Sequence, residues 1–330
     1  MKRALVTGGN GFLGSHLADS MLKKGYEVSV LIRNSSKRDN LDFSGYKIVE
    51  GSLDDPLSLR QAVEGQDFVF HAAGLIRAKS RDEFFEVNHL GTKNLLEAVA
   101  RQNPKLSRFV YVSSMAAAGP PDASGDKKLT KETDTCNPIT PYGESKWEGE
   151  IETLKYRERF PVTIIRPPAI YGPKDKGMFA YFRLASRGFY PLIGTGESYV
   201  NIICVYDLVE GLIAVALEPK AAGEIFYLAE KKIYSWREAG QIISLACGKA
   251  GRALRIPKWL LFSVAEANQF ISNLFGQAAL ISRWKAMDLS QKFWTCDVSK
   301  AEQTFNFQTR YPLPEGAKVT YEWYKKAGWL

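Results

Sequence analysis

The 330-residue chain predicts a doubly wound α/β fold, a parallel sheet covered by helices on both faces. Three observations carry that expectation. Short apolar runs alternate with helical apolar spacing through the first half of the chain. A glycine-rich turn joins the first run to the first helical pattern. The composition, 45% hydrophobic and 24% charged, is that of an ordinary globular protein with material for one large domain and a smaller one.

The elements follow in order. "ALVTG" (4–8) reads as the first strand, and in "GFLGSHLADSMLKKG" residues Phe12, Leu13, Leu17, Met21 and Leu22 recur near helical spacing. "YEVSVLIR" (26–33) and "YKIVEG" (46–51) read as strands, "PLSLRQAVEG" as a helix and "DFVFHAA" (67–73) as a further strand. A long helix is expected near 82–102, then the strand "RFVYVSS" (108–114). A loop rich in Pro, Gly and Asp (119–141) leads to a helix over about 142–159 and the strand "VTIIRP" (162–167). Beyond residue 174 the rhythm loosens. Helical patterns occur at 175–187, 206–217, 235–247 and 257–275, with short strands near 199–203 and 225–228. The expected division is a sheet domain over 1–173 and a smaller, mostly helical lobe over 174–330, with about 199–230 crossing back to the sheet. The cleft between them is the expected place for a substrate.

Several function classes are disfavoured. The net charge is +8, but "KRDN" and "GDKKLTKE" are short and mixed with acids, which suits solvated loops better than a nucleic-acid surface. The four cysteines, Cys136, Cys204, Cys247 and Cys296, are far apart and do not cluster with the three histidines. Neither a disulfide framework nor a metal site is expected, and the thiols fit the reducing cytoplasm. "MKRALVTGG" runs into a strand without the apolar region of a signal peptide. No run of about 18 apolar residues is present, so no spanning helix is expected. The apolar segment 256–276 is interrupted by Glu266, Asn268 and Gln269, a pattern that favours an amphipathic helix against a core and leaves a membrane contact open.

"VTGGNGFLG" places Gly8, Gly9, Gly11 and Gly14 between a strand and a helix. Glycines there permit a tight turn and close approach of backbone N–H groups to a pyrophosphate at the helix N-terminus. The domain is therefore expected to be a Rossmann-type sheet that binds a dinucleotide. About twenty residues on, where NAD binders carry an acid for the ribose, this chain reads "LIRNSSKR". Arg33, with Ser35, Ser36, Lys37 and Arg38 behind it, would hold a 2′-phosphate. NADP(H) is preferred, with NAD(H) as the alternative.

In "PYGESKWEGE" Tyr142 and Lys146 stand one helical turn apart on one face. A phenol titrating near ~10 is a poor proton donor or acceptor unless perturbed, and a lysine beside it favours the phenolate. Ser113 and Ser114 end a strand in "VYVSSMAAAG", where Ser114 could donate to a substrate carbonyl while Tyr142 moves the proton. Each residue alone has a bland structural explanation. Their order behind a phosphate loop is the specific signal.

The chain resembles the extended short-chain dehydrogenase/reductase superfamily, the NAD-dependent epimerase/dehydratase family, and within it the 3β-hydroxysteroid-dehydrogenase-like and dihydroflavonol-reductase-like branches. The resemblance rests on "TGGNGFLG", "HAAG" (71–74), "VNHLGTKNLLEA" (87–98), "YVSSMAAAG", "YGESK" (142–146) and "RPPAIYGP" (166–173), with a weaker continuation to "WYKKAGWL". It implies Tyr142 as general acid/base and Lys146 as the residue that lowers its pKa and holds the nicotinamide ribose. It also implies Ser114 as the carbonyl polariser, with Ser113 a bystander, and Asn88 as a less securely assigned fourth member. Gly8, Gly11, Phe12, Leu13 and Gly14 would meet the phosphates, with Ala72, Ala73 and Gly74 beside them. Leu53 would pack on the adenine, while Ser52 stands where the family often has aspartate. Pro167 and Ile170 would lie near the nicotinamide. A homodimer through the helices near 82–102 and 142–159 is likewise implied.

The resemblance leaves the reaction open. Met115 and Ala116 replace the acid pair of the sugar dehydratases, and Val200 and Asn201 stand where sugar epimerases place a diphosphate-binding arginine. The expected cleft wall is apolar: Met115, Ala117, Tyr171, Phe179 and Phe182, although Phe179 and Phe182 are equally suited to core packing. The leading expectation is an NADP(H)-dependent oxidoreductase interconverting a ketone and a secondary alcohol on a rather hydrophobic small molecule. The alternatives are a nucleotide-sugar epimerase that retains its NAD(P) and, from another class, a non-catalytic dinucleotide-sensing scaffold.

Overall fold

The computed structural model describes residues 1–34, 40–41, 45–121, 129–194 and 198–330. Six strands arise in the order the sequence predicts: β1 Arg3–Thr7, β2 Glu27–Ile32, β3 Lys47–Glu50, β4 Phe68–His71, β5 Arg108–Val112 and β6 Val162–Arg166. With Ile225–Tyr227 they form one seven-stranded sheet in the spatial order Ile225–Tyr227, β6, β5, β4, β1, β2, β3. Every pairing in it is parallel. β4, β5 and β6 are buried along their whole length, the near-continuous apolar pattern of strands covered on both faces.

Two apolar layers do the covering. On one side α1, Phe12–Lys23, and the helix Val205–Leu217 pack through Leu17, Met21, Leu208 and Leu212 against Val6, Val30 and Phe70. On the other, α2, Pro56–Val63, and the helix Gly91–Gln102 pack through Leu59, Leu95 and Val99 against Leu5, Val69 and Phe109. The chain order reverses between β1 and β4, and there the sheet opens its carboxyl edge, the usual binding crevice of such folds.

The helix expected over 82–102 runs as Arg81–Phe84, a π-helical turn Phe85–Leu90, and Gly91–Gln102. The helix carrying Tyr142 is Pro141–Leu154, shorter than expected, with Thr140 capping its N-terminus by accepting from Gly143 N–H at 3.2 Å.

Residues after 174 include helices Phe179–Ala185, Trp236–Ala246, Lys258–Leu274, Arg283–Ser290, Ser299–Phe305 and Leu313–Lys326. They also include strands the sequence reading did not anticipate: Phe189–Ile193 pairs in parallel with Arg252–Ile256, and Phe293–Trp294 pairs with Tyr199–Val200 of the expected 199–203 strand. The lobe has its own core around Tyr171, Phe182, Val200, Tyr234, Ile243 and Tyr324. Among the described residues no helix is long and apolar enough to cross a membrane.

Candidate active site

The glycine turn fits a dinucleotide pyrophosphate. Gly8 has φ +69°, and a Cβ on it would lie 2.8 Å from Ala73 Cα. A Cβ on Gly14 would lie 2.2 Å from the Gly8 carbonyl oxygen, so only glycine lets α1 start this close to β1. Gly11 caps α1 without a side chain, and no acid stands in the first turn, so its N–H groups and positive dipole end face an anion without competition. Phe12 and Leu13 are half-buried beside it, as are Ala72 and Ala73, and Gly74 is exposed.

A buried polar chain holds these loops together. The Thr92 hydroxyl donates to Asn88 O at 2.7 Å, leaving its oxygen to accept from His71 Nε2 at 2.9 Å. His71 Nδ1 then accepts from the Thr7 hydroxyl at 2.7 Å, and Thr7 Oγ1 accepts from Ala73 N–H at 3.2 Å. Burial pushes His71 down to about 3, so the ring stays neutral and keeps this polarity. No motif in the sequence pointed to this chain.

Arg33 is exposed at the end of β2. Asp54 lies near enough that its carboxyl is held below the usual range, chiefly by the Ser52 hydroxyl that donates to it and in smaller part by Arg33. Ser52 is therefore spent on Asp54, and it is Asp54 that supplies a carboxylate to this edge. Leu53 is half-buried against the residues around Gly91, whose added Cβ would come within 2.9 Å of it. Ser35, Ser36, Lys37 and Arg38 lie outside the described residues.

At the centre, Ser114 lies beside the Tyr142 hydroxyl, near enough to act on its pKa. Ser114 also caps the short helix Met115–Ala118, its Oγ accepting from Ala116 N–H at 3.1 Å. Lys146 is buried; its Nζ donates to Val112 O at 2.7 Å and lies 4.3 Å from the centroid of the Tyr111 ring. Burial depresses Lys146 to about 7. The same burial raises Tyr142 above its ordinary value, with Asp288 adding to the rise and Ser114 opposing it. In the resting chain desolvation outweighs the lowering influence on Tyr142.

Ser113 is buried and donates to Glu150, which Arg166 grips through two hydrogen bonds of 2.9 and 2.6 Å. That pair bolts the tyrosine helix to β6 and holds the Ser113 hydroxyl in the interior. Asn88 also changes role. Its Oδ1 accepts from Leu75 N–H at 2.7 Å, and its Nδ2 donates to Leu75 O and to Ser145 Oγ, each at 3.0 Å. These bonds tie the 74–75 loop to the tyrosine helix, a positioning role for Asn88.

The expected substrate wall is also corrected. Met115 is buried in a cluster with Ala118, Tyr227 and Cys296, and Ala117 is fully buried. Tyr171 and Phe182 are buried in the lobe core, and Phe179 packs edge-on against Tyr324 and Trp329. Apolar side chains near a cleft gain more by packing than by waiting for substrate. Pro167 is buried, its carbonyl accepting from Met115 N–H at 2.9 Å, and Ile170 is half-buried on the short strand Ala169–Tyr171.

What lies over Tyr142 comes from elsewhere. Phe84 has its ring centroid 5.9 Å from that of Tyr142, and Trp284 packs edge-on against Phe84 at 6.0 Å. One turn beyond Trp284, Asp288 lies near enough to Tyr142 for its charge to raise the phenol's pKa. Its Oδ1 is buried without a hydrogen-bond partner among the described residues, and burial raises its pKa. Trp284 and Asp288 share one helix face at i and i+4, but nothing in "SRWKAMD" ties them by spacing to the tyrosine motif.

A strand–glycine turn–helix cradle facing a Tyr–Lys–Ser set on an all-parallel sheet is the arrangement of one large enzyme family. The sequence model for the NAD dependent epimerase/dehydratase family matches residues 4–229. The chain belongs to this family. Within it, a ceramide reductase of Caulobacter vibrioides is 28% identical over 325 residues, covering 98% of this chain and 95% of the relative. A UDP-N-acetyl-alpha-D-glucosaminuronate decarboxylase of Bacillus cytotoxicus is 31% identical over 272 residues, 78% of this chain and 84% of the relative. The crystal structure of a UDP-glucose 4-epimerase with UDP-glucose from Thermotoga maritima superposes with a TM-score of 0.80 at 22% identity, covering 98% of this chain and 99% of that one. The protein is thus an NAD(P)-dependent oxidoreductase or epimerase of the epimerase/dehydratase family, and its relatives act on more than one substrate class.

Proposed function

We propose that this protein is an NADP(H)-dependent ketone reductase, in reverse a secondary-alcohol dehydrogenase, acting on a hydrophobic small molecule. The observation that carries the reading is the Tyr142–Ser114 hydroxyl pair beneath the aromatic roof of Phe84 and Trp284. The name of the Caulobacter relative, a ceramide reductase, points the same way. The epimerase-type diphosphate grip finds little support: Val200 is buried, and Asn201 is buried with its amide on Glu230 O and its Oδ1 on Cys296 N–H. Lys174 is paired with Asp19 at 3.2 Å, and Arg183 lies over the Phe179 ring.

When bound, the nicotinamide supplies the hydride in reduction and accepts it in oxidation. Gly8, Gly11 and Gly14 would hold the pyrophosphate, Lys146 the nicotinamide ribose and Arg33 the 2′-phosphate. Tyr142 Oη gives its proton to the carbonyl oxygen as that oxygen gains charge, and its raised pKa keeps the proton available across the neutral range. Ser114, its oxygen already held by Ala116 N–H, donates its own hydrogen to the same oxygen. Asp288 is placed to accept from a substrate hydroxyl or amide under the roof.

Purified protein should consume NADPH, followed by absorbance, with long-chain ketones in a panel that also contains UDP-sugars. Interconversion of UDP-sugars without net NADPH consumption would overturn the reading in favour of an epimerase. No turnover with any member, together with unchanged cellular effect of Tyr142→Phe, would leave the non-catalytic scaffold. Arg33→Ala should lower NADP(H) affinity relative to NAD(H); an unchanged ratio removes Arg33 from its role, as Asp54 nearby would permit. The free cysteines support a cytoplasmic setting, and a homodimer through the helices at 81–102 and 141–154 is to be checked by light scattering.

A further inference from the structure

The helix Lys258–Leu274 faces the wrong way for a soluble protein. Only Leu261 and Ala265 on it are buried. Trp259 is 69% exposed, Phe270 66%, Leu274 69% and the capping Phe275 74%, with Leu260, Val264 and Ile271 exposed among them. At about 100° per residue these positions fall on one continuous arc, roughly 160° wide, interrupted only by Ser263 and Ala267. Leu254 and Leu280 add exposed apolar surface on the flanking segments. So large an apolar face on a folded chain marks a contact.

Charge identifies the occupant. Residues 252–285 hold five cations, Arg252, Arg255, Lys258, Arg283 and Lys285, all exposed, against one acid, Glu266. Arg283 lies 3.6 Å from Glu266 and Lys285 lies 3.9 Å from Asp288, while Arg252, Arg255 and Lys258, the last donating to Ser290 O, keep the segment positive. A second copy of the chain set across a two-fold axis would bring these cations against their own like. An apolar arc on a segment of net positive charge, with a tryptophan at one end, is complementary to anionic headgroups over acyl chains.

We propose that the outer face of the helix Lys258–Leu274 docks the protein on the surface of an anionic phospholipid bilayer. The opposite face supports the catalytic roof. Leu261 and Ala265 share a small core with Ala286, which lies between Trp284 and Asp288 on the helix Arg283–Ser290. Docking would therefore bring the helix that carries Trp284 close to the lipid. The proposal is independent of the reductase reading, because vesicle binding is measured without turnover.

The test is co-sedimentation of the full-length chain with vesicles of phosphatidylcholine alone and of phosphatidylcholine with phosphatidylglycerol. Wild type should pellet with the anionic vesicles, less so with the neutral ones, and be partly released by salt. The triple variant Phe270→Ser, Leu274→Ser, Phe275→Ser should lose roughly tenfold or more of the bound fraction at an unchanged melting temperature. Arg255→Glu with Lys258→Glu should lose the preference for anionic vesicles. The proposal is overturned if wild type stays in the supernatant with both compositions, or if the triple variant binds as well as wild type. A dimer seen by sedimentation velocity that the triple variant dissociates, with no vesicle binding, would assign the face to a second copy and overturn it as well.

Discussion

Tyr142 stands under opposed influences: burial and the Asp288 carboxyl raise its pKa, and Ser114 lowers it. In alcohol oxidation the phenolate is the base, so activity rises as pH climbs through this pKa. Asp288→Asn removes one of the raising causes, and the acid limb of the oxidation profile should move to lower pH. A limb that stays put, or moves up, would separate Asp288 from the site. Tyr142→Phe should cost ~10²–10⁴ in kcat while NADPH affinity, read by fluorescence titration, hardly changes. Lys146 has a stability signature of its own. Its pKa falls from 10.5 to about 7 on burial, so between those values the unfolded chain binds more protons and stability rises with pH. Below about 7 the full cost of the buried charge is present. Lys146→Met should therefore be more stable than wild type in acid, on the order of 1–3 kcal/mol in urea melts, with the gain fading toward pH ~10. Tyr142, Lys146 and Ser114 can be picked out of the sequence as candidates because of their order and spacing. Asp288 cannot, since a lone carboxylate on a late helix reaches the site only through tertiary packing.

Among the elements, those with local causes are the legible ones. β1 to β6 are short apolar runs bounded by turn residues, and α1 follows a glycine turn, so their order can be read directly. The pairing of Phe189–Ile193 with Arg252–Ile256 cannot: one strand contains Pro191, the other alternates with Arg252 and Arg255, and about sixty residues separate them. The π-helical turn Phe85–Leu90 is invisible to apolar spacing as well, yet Asn88 sits within it. The tyrosine helix hides its strongest anchor at Glu150, a residue type usually left to solvent. Glu150 and Arg166 are 1% and 2% exposed, and Ser113 also leans on the carboxylate. Glu150→Ala would strand a guanidinium in the interior and should destabilise by ~3–5 kcal/mol in chemical denaturation. A loss below ~1 kcal/mol would show that water reaches Arg166 and that the helix is held by packing alone.

At the scale of the whole molecule, the chain after residue 174 crosses back to the seven-stranded sheet, as the proposed two-lobe division requires. Ile225–Tyr227 pairs with β6, and the helix Val205–Leu217 covers the sheet before the chain returns to the lobe. Glu230 then accepts from Leu313 N–H at 3.0 Å and from the Tyr234 hydroxyl, so the start of the last helix is tied to the end of that crossing. The last helix closes the lobe through Tyr324, which is fully buried, stacked on Trp329 at 5.5 Å and edge-on to Phe179 and Phe182. Its hydroxyl donates to Asp175 O at 2.7 Å, next to the proposed lobe boundary. Tyr324→Phe removes only that bond and should cost ~1 kcal/mol. Tyr324→Ala also opens a cavity and should cost ~3–5 kcal/mol. Because the contacts of Tyr324 reach the segment that leads out of the sheet domain, both variants should lower one cooperative transition, seen together by tryptophan fluorescence and far-UV circular dichroism. If Tyr324→Ala instead splits the melt, with the fluorescence of the lobe lost before the helical signal of the sheet domain, the lobe folds as a unit of its own and the crossings do not couple it to the sheet.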